Sequence, residues 1–283
     1  MRIKIQNKYG SFEIGGGSHK NARLLEIAGL GLPTIEPETV SFAGQPGYVI
    51  SSKTDTARTI TMSLDLLGCP FDVMKLYNIL KEKCEILFFF GSTRRKIYGI
   101  CLNPCEAEKI IYKRMYKIVL QFVCENPYFT DIHAPQTALA TRVDMFPTSY
   151  EDGMGYITLP AVATVRESER TVINSGDVPV YPLLKAVANG DMEYILFENL
   201  TTGAFIKLEY AICEGEEITV DVENREITSS IYGNVLNKQT SDTVISSFYL
   251  EEGENSLRVT SDTLSPISIS ISFANQYKAV MIE

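Results

Sequence analysis

The chain has 283 residues, 45% hydrophobic and 22% charged, a globular composition with length for one large domain or two ordinary ones. No apolar run approaches the ~20 residues of a membrane-spanning helix, and the opening MRIKIQNKYG lacks the apolar core of a secretion signal, so the expectation is a soluble protein kept in the cytosol unless a particle carries it out. The net charge of −9 is uneven, with 17 Lys+Arg against 13 Asp+Glu in residues 1–140 and 9 against 22 in residues 141–283, which favours two domains and argues against specific nucleic-acid binding, because phosphates would be repelled by the second half.

In chain order, the GGGSHKN stretch has its glycines at 15–17 and reads as a turn between Ile14 and Leu24. No helix signal follows it, as a phosphate-cradling loop requires. Residues 28–57 are rich in Gly, Pro, Ser and Thr yet carry Leu30, Leu32, Ile35, Val40, Phe42, Tyr48, Val49 and Ile50. A structureless loop of that length is unusual, and a solvated linker would not hold so many apolar residues. The segment reads as an extended arm that pairs with a neighbouring subunit, with Leu30, Leu32, Phe42, Tyr48, Val49 and Ile50 as its contact residues.

Residues 58–67, RTITMSLDLL, alternate Ile60, Met62, Leu64 and Leu66 with Thr61, Ser63 and Asp65, a half-buried strand. The spacing of Val73, Leu76, Tyr77 and Leu80 predicts a helix over 69–83, opened by Pro70 and Asp72 and closed by Lys81 and Lys83. Strands are expected at 85–90, at 96–102 and, as one long strand, from about 107 to 124. The N-terminal domain, residues 1–135, is therefore α+β, one helix on antiparallel strands. The boundary falls within the aperiodic stretch 130–156. Beyond it, Ile218, Val220 and Val222 alternate with polar residues, as do Leu257 and Val259, and then Ile267, Ile269, Ile271 and Phe273. Short alternating strands with frequent turns predict an antiparallel β-sandwich over 136–283. Gly203 in NLTTG is expected at positive φ, and Glu223–Asn224 at a hairpin turn.

Sites of chemistry are sparse. The six cysteines, at 69, 84, 101, 105, 124 and 213, and the isolated His19 and His133 do not make a zinc spacing, and the cysteines read as small buried apolar groups. No GxSxG nucleophile motif occurs. Glu217 and Asp221 share a strand face and could serve as a glycosidase acid and base or hold calcium; a solvated strand face is the preferred reading. Tyr181, Tyr194, Tyr210, Tyr232 and Tyr249 could form a sugar platform, although the chain has no Trp and Tyr at strand ends more often packs half-buried. No catalytic residue, metal site or cofactor is expected.

The ordered series RTITMSLDLLG (58–68), the single helix, ENPYF (125–129), NSGDVPVYPLLKAVANGD (174–191), FENLTTGAFIKL (197–208), EITVDVENREI (217–227) and SSFYLEEGENSLRVTSD (246–262) resembles the distal tail proteins of siphoviruses. That resemblance implies a mainly β, non-enzymatic component of the virion tail tip, assembled in the host cytoplasm. It implies a hexameric ring made by the N-terminal domain, helped by an arm, and a galectin-like C-terminal sandwich facing outward. The implied partners are further copies of the chain, the tail tube protein, a tail-associated lysin-like protein, and receptor-binding or baseplate proteins. At 283 residues there is no room for the sugar-binding insertions of some relatives. A carbohydrate-binding module contacting the host envelope remains the alternative, and a glycosidase on the Glu217/Asp221 face a third.

Overall fold

The computed structural model describes residues 2–15, 22–44, 46–67, 70–102, 108–110, 115–132, 136–140, 150–152, 155–157, 167–262 and 267–280. It divides into two units: residues 1–132 with 276–283, and residues 133–275. The chain is mainly β, with a single α-helix among the described residues.

In unit 1 the period-2 patterns form β1 (Arg2–Asn7), β2 (Gly10–Ile14), β3 (Ala22–Ala28), β4 (Ile35–Val40), β5 (Val49–Asp55) and β6 (Arg58–Leu67). Then come α1 (Pro70–Leu80), β7 (Cys84–Phe90), β8 (Thr93–Cys101), β9 (Glu108–Ile110), β10 (Met115–Cys124) and β11 (Phe129–Asp131). The main sheet runs β2-β1-β7-β8-β10-β6-β3. Its two ends approach each other where the Gly15 amide donates to the Ala22 carbonyl, at 3.1 Å. Ile60, Met62, Leu64 and Leu66 of β6 and Ile118, Leu120, Phe122 and Cys124 of β10 are buried, as the alternation requires.

Two boundaries differ from the sequence reading. The helix stops at Leu80, because the Ile79 carbonyl is taken by the Asn7 side-chain amide (2.6 Å) and the Cys84 thiol (3.3 Å). The carbonyls of a last helical turn lack intrahelical partners, and here the first residue of β7 supplies one. The long strand expected from 107 to 124 is two strands: β9 folds back antiparallel on β10, pairing Ile110 with Met115 and Glu108 with Lys117.

Unit 2 contains β12 (Gln136–Ala140), β13 (Tyr150–Asp152), β14 (Gly155–Ile157), β15 (Glu167–Asn174), β16 (Leu183–Ala188) and β17 (Met192–Asn199). It continues with β18 (Ala204–Ile212), β19 (Glu217–Asp221), β20 (Glu226–Ser229), β21 (Gly233–Asn234), β22 (Gly253–Ser261) and β23 (Ile267–Ser272). One sheet runs β12-β23-β16-β19-β20-β21 and the other β15-β22-β17-β18, all antiparallel. Val220, Ile227 and Ile271 from the first sheet and Phe197, Ile206 and Leu208 from the second share one core. Each such side chain contributes roughly 1.5–3 kcal/mol on burial, so the pattern needs no ligand to explain it. Val222 to Arg225 make the β19–β20 turn, with Arg225 at φ 56°.

Three buried asparagines brace the loops of this sandwich. The Asn174 side chain donates to the Val178 carbonyl and accepts from the Gly176 amide. Asn199 accepts from the Thr201 amide and donates to the Tyr249 carbonyl. Asn255 accepts from the Glu251 amide and donates to the Glu251 and Gly253 carbonyls. The NSGD, NLTT and EEGEN segments thus carry their own internal caps. Gly203, which closes the NLTT turn, sits at φ +74° with open space where a Cβ would lie. Gly203→Val should therefore cost only its backbone strain, about 1 kcal/mol or slightly more. A thermal melt of the full chain with an unchanged unit 2 transition would refute that.

The last described strand, β24 (Gln276–Tyr277), leaves unit 2 and pairs antiparallel with β11. Residues 276–283, read from sequence as the end of the sandwich, belong to unit 1. Val280 is buried there and its amide donates to the Leu30 carbonyl at 2.9 Å. Arg95 forms an ion pair with Asp131 while its guanidinium lies 3.6 Å from the centre of the Tyr277 ring. Unit 2 is thus an insertion between two hydrogen-bonded strands of unit 1.

The sequence reading also places Leu30 in the arm, but it is 6% exposed and belongs to the unit 1 core. The C-terminal return covers it, which the local pattern at 28–57 does not reveal.

Candidate functional site

The arm is a two-stranded hairpin of β4 and β5 that pairs only with itself among the described strands. Its base closes where Thr56 donates through its amide (2.8 Å) and hydroxyl (3.0 Å) to the Thr34 carbonyl. Ser52 Oγ donates to the Glu38 carboxylate at 2.6 Å, beside a register shift between Glu38 and Thr39. Every residue of β4, and all of β5 except half-buried Asp55, is exposed. Leu32 is 75% and Tyr48 67% exposed, and Phe42, Val49 and Ile50 are exposed with them. A two-stranded hairpin is marginal alone in water, and clustered apolar side chains in solvent mark an interaction surface. At about 3.3 Å per residue, the hairpin carries its tip roughly 20 Å from its base.

The base is held by Arg58, the first residue of β6, which is 4% exposed. Its Nε donates to the Pro127 carbonyl at 2.7 Å. Its Nη1 donates to the carbonyls of Gly29 (2.7 Å) and Gly31 (2.6 Å), and its Nη2 to that of Lys278 (2.5 Å). The Phe129 ring centre lies 4.6 Å from the guanidinium carbon. Burial lowers the guanidinium pKa from its usual value, and arginine stays charged regardless. One cation thus ties together both residues flanking Leu30, the ENPYF loop and the C-terminal return. Beside it, Tyr128 donates to Asp55 at 2.8 Å, and burial together with that carboxylate pushes the phenol up to about 12. Sequence reasoning missed Arg58, although its parity with Ile60 and Met62 already turned it inward.

Of the residues assigned to the arm, Leu32, Phe42, Tyr48, Val49 and Ile50 are exposed, and Leu30 lies in the core. The carboxylate pair does not assemble. Glu217 takes a salt bridge from Lys185 at 2.7 Å, and Asp221 accepts from the Asn224 amide and side chain. Four strand residues separate them by roughly 13 Å, beyond the spacing of a glycosidase acid and base. Glu216, fully buried, accepts from Tyr210 (2.6 Å), Ser229 (2.5 Å) and the Cys213 amide (3.1 Å). Burial, and then the hydrogen bond to Glu216, raise the Tyr210 phenol pKa.

His19, His133, Cys69 and Cys105 lie outside the described residues, as do Gly16 and Gly17. Burial pushes the thiols of Cys84 and Cys124 up to about 11, which disfavours the reactive thiolate. Among the described residues no group of three His, Cys, Asp or Glu side chains could hold a metal ion, and no helix is long and apolar enough to cross a membrane.

Residues 175–277 match the model of the siphovirus-type tail component, C-terminal domain. A search of curated sequences found no match. Among solved structures, the chain resembles SPP1 Dit (gp 19.1), described as a paradigm of the hub adsorption apparatus in phages infecting Gram-positive hosts. The TM-score is 0.64 at 14% identity, over 90% of this chain and 93% of that one. It also resembles a chain of the phage P2 baseplate in its activated conformation with Ca, at TM-score 0.52 and 11% identity, over 99% and 100% of the two chains. The same baseplate with Sr gives 0.51 at 13% identity, over 96% and 98%. At these identities the likeness is one of fold.

Proposed function

We propose that this chain, whose residues 175–277 match the siphovirus-type tail component model and whose fold resembles SPP1 Dit, is a siphovirus distal tail protein and a non-enzymatic hub of a phage tail tip. Copies close into a hexameric ring through a repeated head-to-tail interface, in which each hairpin grips the next subunit. A heterologous interface closes on itself when its rotation divides a full turn. The ring joins the tail tube to a tail-associated lysin-like protein, and the acidic sandwich offers strand edges and loops to receptor-binding or baseplate proteins. Assembly takes place in the host cytoplasm before the tail leaves with the virion.

The observation that carries this reading is the hairpin itself: an apolar tip in solvent on a base over-determined by Arg58. The test is excision of residues 35–55 with Thr34 joined to Thr56 through a short turn, which spares the Arg58 partners. The intact chain is expected to form a closed oligomer and the excised one a monomer with unit 1 still folded, by light scattering and negative-stain imaging. An excised chain that oligomerises as before, or an intact chain that stays monomeric at every concentration, overturns the proposal.

The carbohydrate reading is favoured by one feature, an open cavity of about 370 Å³ lined by Tyr210, Tyr232, Asn234, Asn237 and Lys238. Glycan-array binding by the full chain, lost on Tyr232→Ala, would support it.

A further inference from the structure

At one edge of the unit 2 sandwich a single segment crosses from one sheet to the other. β20 and β21 end one sheet, and β18 ends the other. Residues 235–240 tie them together. The Val235 amide donates to the Ile227 carbonyl of β20 at 2.9 Å, and the Thr240 amide donates to the Lys207 carbonyl of β18 at 3.1 Å. Beside this strap lies the cavity of about 370 Å³. Tyr210 of β18 and Tyr232 of the β20–β21 turn both line it, with ring centres 6.0 Å apart and planes at 83°.

These two aromatic walls share one anchor. Fully buried Glu216 makes no ion pair among the described residues and accepts from the Tyr210 hydroxyl, the Ser229 hydroxyl and the Cys213 amide. Ser229 Oγ in turn accepts from the amides of Ile231 and Tyr232, both at 3.1 Å. Both lone pairs of that hydroxyl are then filled, and its one proton goes to Glu216. The carboxylate thereby fixes the Tyr210 ring and the turn that carries Tyr232 together, and a wall ordered in advance loses little entropy when a ligand arrives. Tyr232 is nevertheless 56% exposed. Asn234 Oδ1 accepts from the Leu236 amide at 2.9 Å, which leaves its Nδ2 without a partner among the described residues. The Asn237 side chain is equally uncommitted there.

We propose that this cavity takes one uncharged pyranose unit of a glycan, with its apolar C–H face against Tyr232 and its hydroxyls on Asn234 and Asn237; this rests on the carbohydrate reading of the cavity and not on the ring. Ligand sites span roughly 300–1,000 Å³, so this one, at the small end, fits a single sugar ring. Its polar groups are amides, which can both donate and accept, as sugar hydroxyls do. Lys238 is the one charged side chain among the described lining residues. It stands in a half of the chain with 9 Lys+Arg against 22 Asp+Glu, a field that repels anions. Fixed recognition of a carboxylate or phosphate favours a bidentate arginine, and the described lining holds none.

The full chain is titrated, by ligand-observed NMR, with methyl glucoside, methyl galactoside and N-acetylglucosamine, and separately with a uronic acid and a sugar phosphate. At least one uncharged sugar is expected to bind, with an affinity that changes less than about 2-fold between about 50 mM and about 500 mM salt, because no ion pair is screened. The charged sugars should bind no tighter. Tyr232→Ala should weaken binding roughly 10-fold or more, Tyr232→Phe should restore it, and Asn237→Ala should weaken it about 5-fold. Both side chains are exposed, so the unit 2 melting transition should hold in all three variants. Binding confined to the charged sugars, or lost at high salt, would overturn the uncharged ligand and leave the carbohydrate reading standing. An uncharged sugar whose binding neither alanine variant weakens would overturn this site. Failure of every probe to bind would overturn the carbohydrate reading with it and leave the ring untouched.

Discussion

Replacing Arg58 by Met is expected to destabilise unit 1 by about 3–5 kcal/mol, because four carbonyls lose a charged donor worth roughly 1.5–3 kcal/mol at each bond before water recovers part of it. Met keeps the apolar stem against Phe129 but removes all donors to four carbonyls, those of Gly29, Gly31, Pro127 and Lys278. A buried acceptor left unpaired costs about 1–3 kcal/mol, and water entering the gap recovers part of it. Arg58→Lys should recover little, because an ammonium has three donors on one atom and cannot reach carbonyls spread around a planar fork. In a calorimetric scan of the full chain, the unit 1 transition should fall by roughly 10 °C and that of unit 2 should hold. Amides of β11 and of residues 29–31 should exchange faster. Equal unit 1 transitions in Arg58→Met and the parent would show that the four carbonyls do not depend on this side chain.

Gly29→Ala is expected to cost about 3 kcal/mol or more. Gly29 has φ +90°, and a Cβ there would lie 2.1 Å from the Thr59 carbonyl oxygen and 3.1 Å from the Ile60 Cα. Positive φ alone costs a non-glycine residue of order 1–3 kcal/mol, and the nearest atoms belong to backbone, which cannot rotate aside. Relief requires moving residues 29–31 away from β6, which pulls the Gly29 carbonyl off Arg58 Nη1. The two substitutions therefore share an interaction, and the double variant Gly29→Ala/Arg58→Met should lose less than the sum of the singles. Additive losses, or a single Gly29→Ala variant that melts with the parent, would show the root to be adaptable.

Most of the strand content was legible because it rests on local alternation. Ile60 to Leu66 and Ile118 to Cys124 face the core as their parity dictates, and so do Ile218, Val220 and Val222 in the sandwich. Gly203 could be placed in a turn because NLTTG demands a positive φ regardless of surroundings. The exposed hairpin was legible in a weaker sense: apolar residues among Gly, Pro, Ser and Thr signalled a segment with business outside its own fold, without its pairing or register. The reversal of β9 onto β10 was not legible, because apolar residues on both sides of residues 111–114 read as one continuous strand.

The arm's root was decided elsewhere. Arg58 looks like an ordinary strand opener until the carbonyls of residues 29, 31, 127 and 278 converge on it, and no local pattern joins positions up to 220 residues apart. Leu30 was misplaced for the same reason, since the return of Val280 covers it. Alternation, turn chemistry and composition act over a few residues, so the sequence by itself determined the mainly β character, the two-part organisation and the presence of an arm. Which strands become neighbours and where the last residues dock are matters of long-range closure, and only the tertiary structure decided them.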